Sequence, residues 1–410
     1  MDFRHSDRSL EVQARVRAFL DEHVLPAEGV FEEQAARARA AGTPHRTPPV
    51  MAELTAAARG RGLWNLFLPD PVEGGGLSVL DYAPVAELSG RSVAIAPEAM
   101  NCAAPDTGNM ELLHQFGTDE QKARWLRPLL DGEIKSCFAM TEPAVASSDA
   151  TNIATTARVS GEQVVLDGLK WWSTGAMRPE CRVAIVMAVT DPDGGRHARH
   201  SMILVPMDTP GLTVERSTSV FGYDDGPHGG HGVLRFEGVR VPVANLLGAR
   251  GAGFAMAQAR LGPGRIHHCM RSIGMAERAL ELLCERASSR TAFGMPLARQ
   301  GVVREWIAES RIRIEQARLL VLKAAWMIDE VGARAARTEI AAIKVVAPAA
   351  ASWVLDKAIQ AHGAAGVSDD VPLAAMWAQL RTLRIADGPD EVHRRSIARE
   401  ELRRHGAGAG

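Results

Sequence analysis

Apolar positions near the start of the chain recur at helical spacing. Leu10, Val12, Val16, Phe19 and Leu20 predict an amphipathic helix. Pro48 and Pro49, then Pro69, Pro71 and the triplet Gly74-Gly75-Gly76, cut the next stretch of chain into short helices. Thr118, with Gln121 three residues on, has the layout of a capping box, and Gly132 ends the segment it opens. From about residue 136 the period shortens to two. Val183, Ile185, Met187 and Val189 alternate as in a half-buried strand. Val164-Val165-Leu166 and the runs 202–205 and 233–236 are further strand-like stretches between Gly and Asp turns. Several short strands in so little chain predict a small sandwich or barrel. After about residue 248 the helical period returns in long units. Ile307, Ser310, Ile314, Ala317, Val321, Ala324 and Ile328 form one seam, and Ile273, Ala276, Leu280, Leu283 and Ala287 a second. With the runs 339–362 and 370–402 these predict a four-helix bundle. The expected architecture is α+β in three domains: a helical domain over 1–135, a β domain over 136–247 and a helical bundle over 248–410. The Gly-Ala-Gly-Ala-Gly tail is expected to fray.

Composition narrows the function classes. The 410 residues are 46% hydrophobic and 23% charged, with a net charge of −2, so no global field recruits nucleic acid or an anionic membrane. No run of 18 apolar residues predicts a membrane span, and the N-terminus lacks a signal-peptide layout. Cys102, Cys137, Cys181, Cys269 and Cys284 are scattered and odd in number, which speaks against a disulfide framework and for a reducing, cytoplasmic setting. His267-His268 and His228-Gly-Gly-His231 lack a carboxylate or cysteine at ligand spacing, so no metal site is expected.

Residues 136–153 carry the chemistry. They are rich in small and hydroxyl side chains around Met140-Thr141-Glu142-Pro143 and Ser147-Ser148-Asp149. This run resembles the flavin-binding signature of the acyl-CoA dehydrogenases, with one residue more than usual between Pro143 and Ser148-Asp149. Other stretches are similar to the same family over nearly the whole chain. They include Lys170-Trp171-Trp172-Ser173-Thr174, Arg290-Thr291-Ala292-Phe293-Gly294 and Gln360-Ala361-His362-Gly363-Ala364-Ala365-Gly366. The resemblance implies FAD as cofactor. It places Phe138, Met140, Thr141, Ser147 and Ser148 along the flavin and the acyl-CoA thioester, Trp172 on the isoalloxazine, and Thr174 at its polar edge. Arg290 and Phe293 would reach the pyrophosphate of a flavin held by a neighbouring subunit, a task suited to a planar guanidinium fork. Gln360, Gly363 and Ala364 would border the pyrophosphate, although Ala364 stands where the family has a second glycine. Where the family usually has a further glutamine this chain places Gly301, beside Gln300. No G-x-G-x-x-G follows a strand, so a Rossmann site is not expected.

The segment Ile385-Ala386-Asp387-Gly388-Pro389-Asp390-Glu391-Val392-His393 stands where many family members carry Glu-Gly-Thr, whose glutamate abstracts the substrate α-proton. The resemblance makes Asp387 that base, with a reach shorter by one methylene, about 1.5 Å. Its backbone N–H would help to stabilise the thioester oxygen. Some members carry the base at the position of Gly264, which has no side chain to offer. Asp390 and Glu391 would flank Asp387 on one face if the segment were helical. Arg265, Ala386, Gly388 and Ser148 are the expected substrate contacts; Ala386, where relatives often have tyrosine, leaves room for a bulky acyl group. The likeness is nearest to the subgroup whose animal members carry an appended kinase-like domain and act on long-chain acyl-CoAs. No such domain is read in this sequence.

The expected activity is oxidation of a saturated acyl-CoA to a trans-2-enoyl-CoA, with electrons passed to an electron-transferring flavoprotein. A flavin shared between subunits implies a homodimer or homotetramer. Two other readings stay open: an O₂-reacting flavin oxidase or monooxygenase on the same fold, and a DNA-associated flavoprotein of the alkylation-response type. The charge balance and Asp387 weigh against them.

Overall fold

A computed structural model describes residues 4–406; the expectation for the tail falls largely on residues 407–410, which lie outside them. The chain groups into two compact units. One comprises Pro26–Leu68 and Glu98–Leu261; the other comprises Met1–Leu25, Pro69–Pro97 and Gly262–Gly410.

The first unit is built on eight strands: β1 (Lys135–Ala139), β2 (Thr156–Ser160), β3 (Gln163–Thr174), β4 (Cys181–Val189), β5 (His200–Pro206), β6 (Leu212–Thr218), β7 (His231–Pro242) and β8 (Leu246–Leu247). They form one sheet in the order β6-β7-β3-β2-β4-β5-β8, with β1 parallel to β4. Its two halves are joined by the single pair Thr156↔Val189. A shared apolar core draws Leu166, Leu234, Phe236 and Val239 from one half and Val186, Ala188, Ile203 and Val205 from the other. β4 differs from expectation. Its residues Val183 to Ala188 are all buried, because Ala184, Val186 and Ala188 between the alternating residues are apolar too, and the strand has neighbours on more than one side. A strand covered on both faces reads as a continuous apolar run. The capping box forms as expected: the Thr118 hydroxyl accepts from the Gln121 N–H, and Gln121 Oε1 accepts from the Thr118 N–H.

The second unit is helical. Its long helices are Gly253–Ser289 (counted here from Gly262), Gly301–Val331 and Arg337–His362. Ser310, Ile314, Ala317, Val321 and Ala324 of the first predicted seam are buried, as are all five residues of the second. In the helix Asp7–Phe19, Val12, Val16 and Phe19 are buried but Leu10 is half exposed, being out of step with that stripe. Arg337–Val367 is long and apolar enough to cross a membrane. More than half of its most apolar stretch is buried within the protein, as in a core helix, and Lys344 on the same helix is fully buried.

The expected fourth bundle run over 370–402 is corrected. It is two helices, Leu373–Leu383 and Asp390–Arg404, with a break between them. Pro389 disfavours helical backbone at the residue before it. Gly388 takes φ 101° and Asp387 φ 55°, both outside the right-handed region. Gly388 has a second reason to be glycine, since a Cβ there would stand 3.0 Å from His393 Nε2.

Candidate active site

In the β unit the loop after β1 and the end of β3 lie side by side. The Trp171 N–H donates to the Thr141 carbonyl across 3.0 Å. Lys170 reinforces the junction. Its Nζ donates to Glu142 (2.7 Å), the Met140 carbonyl (2.9 Å) and the Met187 carbonyl (2.7 Å). Three acceptors thus meet the three donors of a fully buried ammonium. Glu142 also accepts from the backbone N–H groups of Ala154 (2.9 Å) and Thr155 (2.8 Å), which closes the loop onto itself. Burial drives Lys170 down to about 8, against the pull of Glu142, so the ammonium keeps its charge at neutral pH. Burial pushes the Glu142 carboxyl upward, but the charge of Lys170 and the hydrogen bonds outweigh it and leave it below the usual range. Both residues lie in motifs named above, but their pairing spans 28 residues and no motif spacing announces it.

This clamp presents a wall. Met140 and Thr141 are half-buried on its loop side. Trp172 exposes 39% of its surface and sits at φ 55°, a conformation a bulky residue adopts only when its surroundings impose it. It meets His231 at 5.2 Å between ring centroids. Thr174 Oγ1 lies 3.0 Å from His231 Nδ1. Among the described residues, Trp171 Nε1 and Ser173 Oγ, flanking Trp172, are buried without a hydrogen-bond partner. The exposed Trp172 face beside the Thr174 hydroxyl fits a flat, heteroatom-edged ring. Phe138 is half-buried with the Arg260 guanidinium 4.0 Å above its ring. Ser147 is engaged within the loop, accepting from the Glu142 N–H at 2.9 Å, and Ser148 is exposed. His228 and His231, read from sequence as lacking a carboxylate, both face Asp225, at 2.8 Å and 3.8 Å.

In the helical unit Asp387 occupies the break. Arg384 donates to Asp390 through Nε and Nη2, both at 2.8 Å, and so ties the two sides together. Arg265 Nε donates to the Asp387 carbonyl at 2.9 Å, and His268 Nε2 stands 3.6 Å from its Oδ2. Lys344 Nζ donates to the Leu383 carbonyl and fastens the end of the preceding helix. Asp390 and Glu391 do not flank Asp387 on a helix, because both open the next one; Asp390 is buried against Arg384 and Glu391 is exposed. An ideal Cβ on Gly264 would lie 3.7 Å from Asp387 Oδ2. Ala386 and Gly388 border Asp387 on either side; Ala386 is exposed and Gly388 half-buried. Cys269 nearby is driven up to about 12 by burial and is inert as a nucleophile.

The remaining expected cofactor residues are exposed. Arg290 follows the long helix and leads into a hairpin, Thr291–Ala292 with Met295–Pro296, whose turn residues Phe293 and Gly294 both have positive φ. Phe293 is 97% exposed. Gln360 is exposed on the last turn of Arg337–His362, and Gly363 and Ala364 are exposed just beyond it.

His393 packs beneath Asp387 and Gly388. Burial above all, then the charges of Arg265 and Lys344, lower its pKa to about 4. The unfolded imidazole protonates near 6.5. Stability tied to neutral His393 is therefore complete above pH 6.5 and is lost as pH falls from 6.5 to 4, about 3 kcal/mol in all. Urea unfolding of wild type and His393→Phe across that window should show the acid-side loss shrink by this amount in the variant. Equal slopes would assign the loss to other groups.

Residues 6–133, 137–239 and 251–402 match the N-terminal, middle and C-terminal domains of acyl-CoA dehydrogenases. The chain belongs to the acyl-CoA dehydrogenase family. It is 57% identical over 405 residues to the Mycobacterium tuberculosis protein named probable acyl-CoA dehydrogenase FadE2, covering 98% of both. It is 55% identical over 401 residues to acyl-CoA dehydrogenase family member 11 of Gallus gallus, covering 98% of this chain and 51% of the relative. The chain thus spans about half the length of that animal relative, and the appended domain expected of the subgroup is not shown here. A solved Mycobacterium abscessus chain assigned to the family is 54% identical, with TM-score 0.95, covering 98% of this chain and 100% of that one. Family membership makes the protein an FAD-dependent oxidoreductase of acyl-CoA dehydrogenation. An acyl-CoA substrate and an electron-transferring flavoprotein as acceptor are consistent with it.

Proposed function

We propose that the protein oxidises a saturated acyl-CoA to the trans-2-enoyl-CoA, with Asp387 as the base for the α-proton. The observation that carries this reading is the break at 384–389. It spends a left-handed aspartate, a glycine and a proline to hold one carboxylate beside Arg265 and His268. Bound FAD supplies the hydride acceptor. The Met140–Thr141 loop and the Trp172–Thr174 strand end, locked by Lys170 and Glu142, are the wall on which it rests. Arg265 fixes the Asp387 backbone, and His268 stands 3.6 Å from the Asp387 carboxylate, where a protonated imidazole would stabilise its charge. Arg290 and Phe293, on an exposed hairpin, together with Gln360, Gly363 and Ala364, serve a flavin of a neighbouring subunit. An apolar ring left almost wholly in solvent at a hairpin tip supports that assignment to a homodimer or homotetramer. Ser148, Ala386 and Gly388 contact the acyl-CoA.

The test is anaerobic titration of the purified yellow protein with saturated acyl-CoAs of increasing length and branching. Bleaching of the flavin band by one class is expected, with electrons recovered in an electron-transferring flavoprotein. Rapid reoxidation by O₂ after bleaching would favour an oxidase. A flavin that no acyl-CoA bleaches would refute the dehydrogenase reading.

A further inference from the structure

The cross-strand pair Thr174↔His231 joins the ends of β3 and β7. The His231 backbone is held from both sides: its N–H donates to Ser217 Oγ at 3.0 Å, and its carbonyl accepts from Thr218 Oγ1 at 3.2 Å. Its ring is packed against Trp172. Nδ1 faces the Thr174 hydroxyl at 3.0 Å, while Nε2 faces Asp225 Oδ2 at 3.8 Å. The other Asp225 oxygen is bonded to His228 at 2.8 Å. Burial holds His231 below the usual imidazole range, so at neutral pH the ring carries one N–H.

We infer that His231, backed by Asp225, is a positioning residue that commits the Thr174 proton and makes Thr174 an acceptor toward the flavin edge. The inference rests on the reading above that Thr174 meets that edge. A neutral imidazole has one donor and one acceptor nitrogen. Placing the proton on Nε2 sets an N–H toward the Asp225 carboxylate, whereas the other tautomer sets a lone pair against it. Nδ1 is then the acceptor, and the Thr174 O–H points at it. The oxygen of Thr174 retains only lone pairs for a ligand. A flavin edge carries an added N–H when reduced and a bare acceptor nitrogen when oxidised. The chain Asp225–His231–Thr174 thus favours the reduced ring, and no base or substrate contact is needed for the effect.

The experiment is a midpoint potential measured by dye equilibration on FAD-loaded protein. His231→Phe keeps a ring against Trp172 but removes both nitrogens. It frees the Thr174 proton for the oxidised ring, and the ratio of reduced to oxidised affinity should fall about tenfold, a drop of about 30 mV for a two-electron couple. His231→Asn retains an acceptor near the Nδ1 position and should stay near wild type. Asp225→Asn keeps the ring and suits the left-handed backbone at 225 (φ 48°), but it withdraws the preference for the Nε2 proton; it should shift the potential in the same direction as His231→Phe, which preserves the test if that variant folds poorly. Thr174→Val should shift the potential, and adding His231→Phe to it should change nothing further. If Thr174→Val shifts it while neither His231→Phe nor Asp225→Asn does, the role of His231 is overturned and the flavin-edge reading stands. A His231→Phe shift that persists in the Thr174→Val background overturns it as well. If Thr174→Val itself leaves the potential unmoved, the flavin-edge reading fails.

Discussion

Asp387→Asn is expected to yield a yellow protein that binds acyl-CoA and fails to bleach. Asparagine accepts the left-handed backbone at least as readily as aspartate and preserves the Arg265 bond, which goes to the main-chain carbonyl and not to the carboxylate. The variant therefore isolates proton abstraction from the geometry of the break. A positioned base contributes about 10²–10⁴-fold. Anaerobic stopped-flow reduction should slow by that range, with FAD content and acyl-CoA affinity close to wild type. Reduction at the wild-type rate would remove Asp387 from the chemistry and leave its left-handed backbone as loop architecture only.

The second large effect belongs to Lys170→Met. The variant strands the Glu142 carboxylate, 5% exposed, without its cation, and leaves the Met140 and Met187 carbonyls short of a donor. Breaking a buried pair from one side costs about 3–5 kcal/mol. Because the pair ties the Thr141 loop to the Trp172 strand, loss of FAD should accompany the loss of stability. Chemical denaturation and flavin retention on gel filtration measure the two. A variant that unfolds at the wild-type midpoint and keeps its FAD would show that the clamp is dispensable. Glu142→Gln breaks the same pair from the other side: the amide oxygen can still accept from Lys170, but the fully buried ammonium loses its counter-charge, so this variant should destabilise as well.

Much of the fold was legible because its helices carry their signals locally. The buried stripe Ser310, Ile314, Ala317, Val321 is a spacing along one element, and the capping box at Thr118 is a spacing of three. What failed to show depends on contacts between segments. Lys170 and Glu142 are 28 residues apart and meet only because Trp171 docks on Thr141. Asp225 reaches His228 and His231 by a left-handed turn that no period announces. The alternation of Val183, Ile185 and Met187 signals one covered face, and only the pairing on both sides of β4 explains why Ala184, Val186 and Ala188 are buried too. The break before Asp390 was signalled by Pro389, but the apolar period on either side concealed it. At the candidate site, the sequence pointed to Asp387 through resemblance to other chains. Arg265 was expected there as a substrate contact, whereas the company of His268, Lys344 and His393 came only from packing.

The closeness of Gly264 to the Asp387 carboxylate bears on how such enzymes diverge. One position lies on a long helix and the other in a loop 123 residues later, yet an added Cβ on the first would touch the oxygen of the second. A carboxylate grown from either backbone would end in the same small volume. On the proposed reading of Asp387 as the base, a proton acceptor carried at either backbone position would serve the same point in space. For this lineage, inheritance is better tracked by location than by residue number, and a glycine can mark a site of chemistry whose side chain has been contributed from elsewhere.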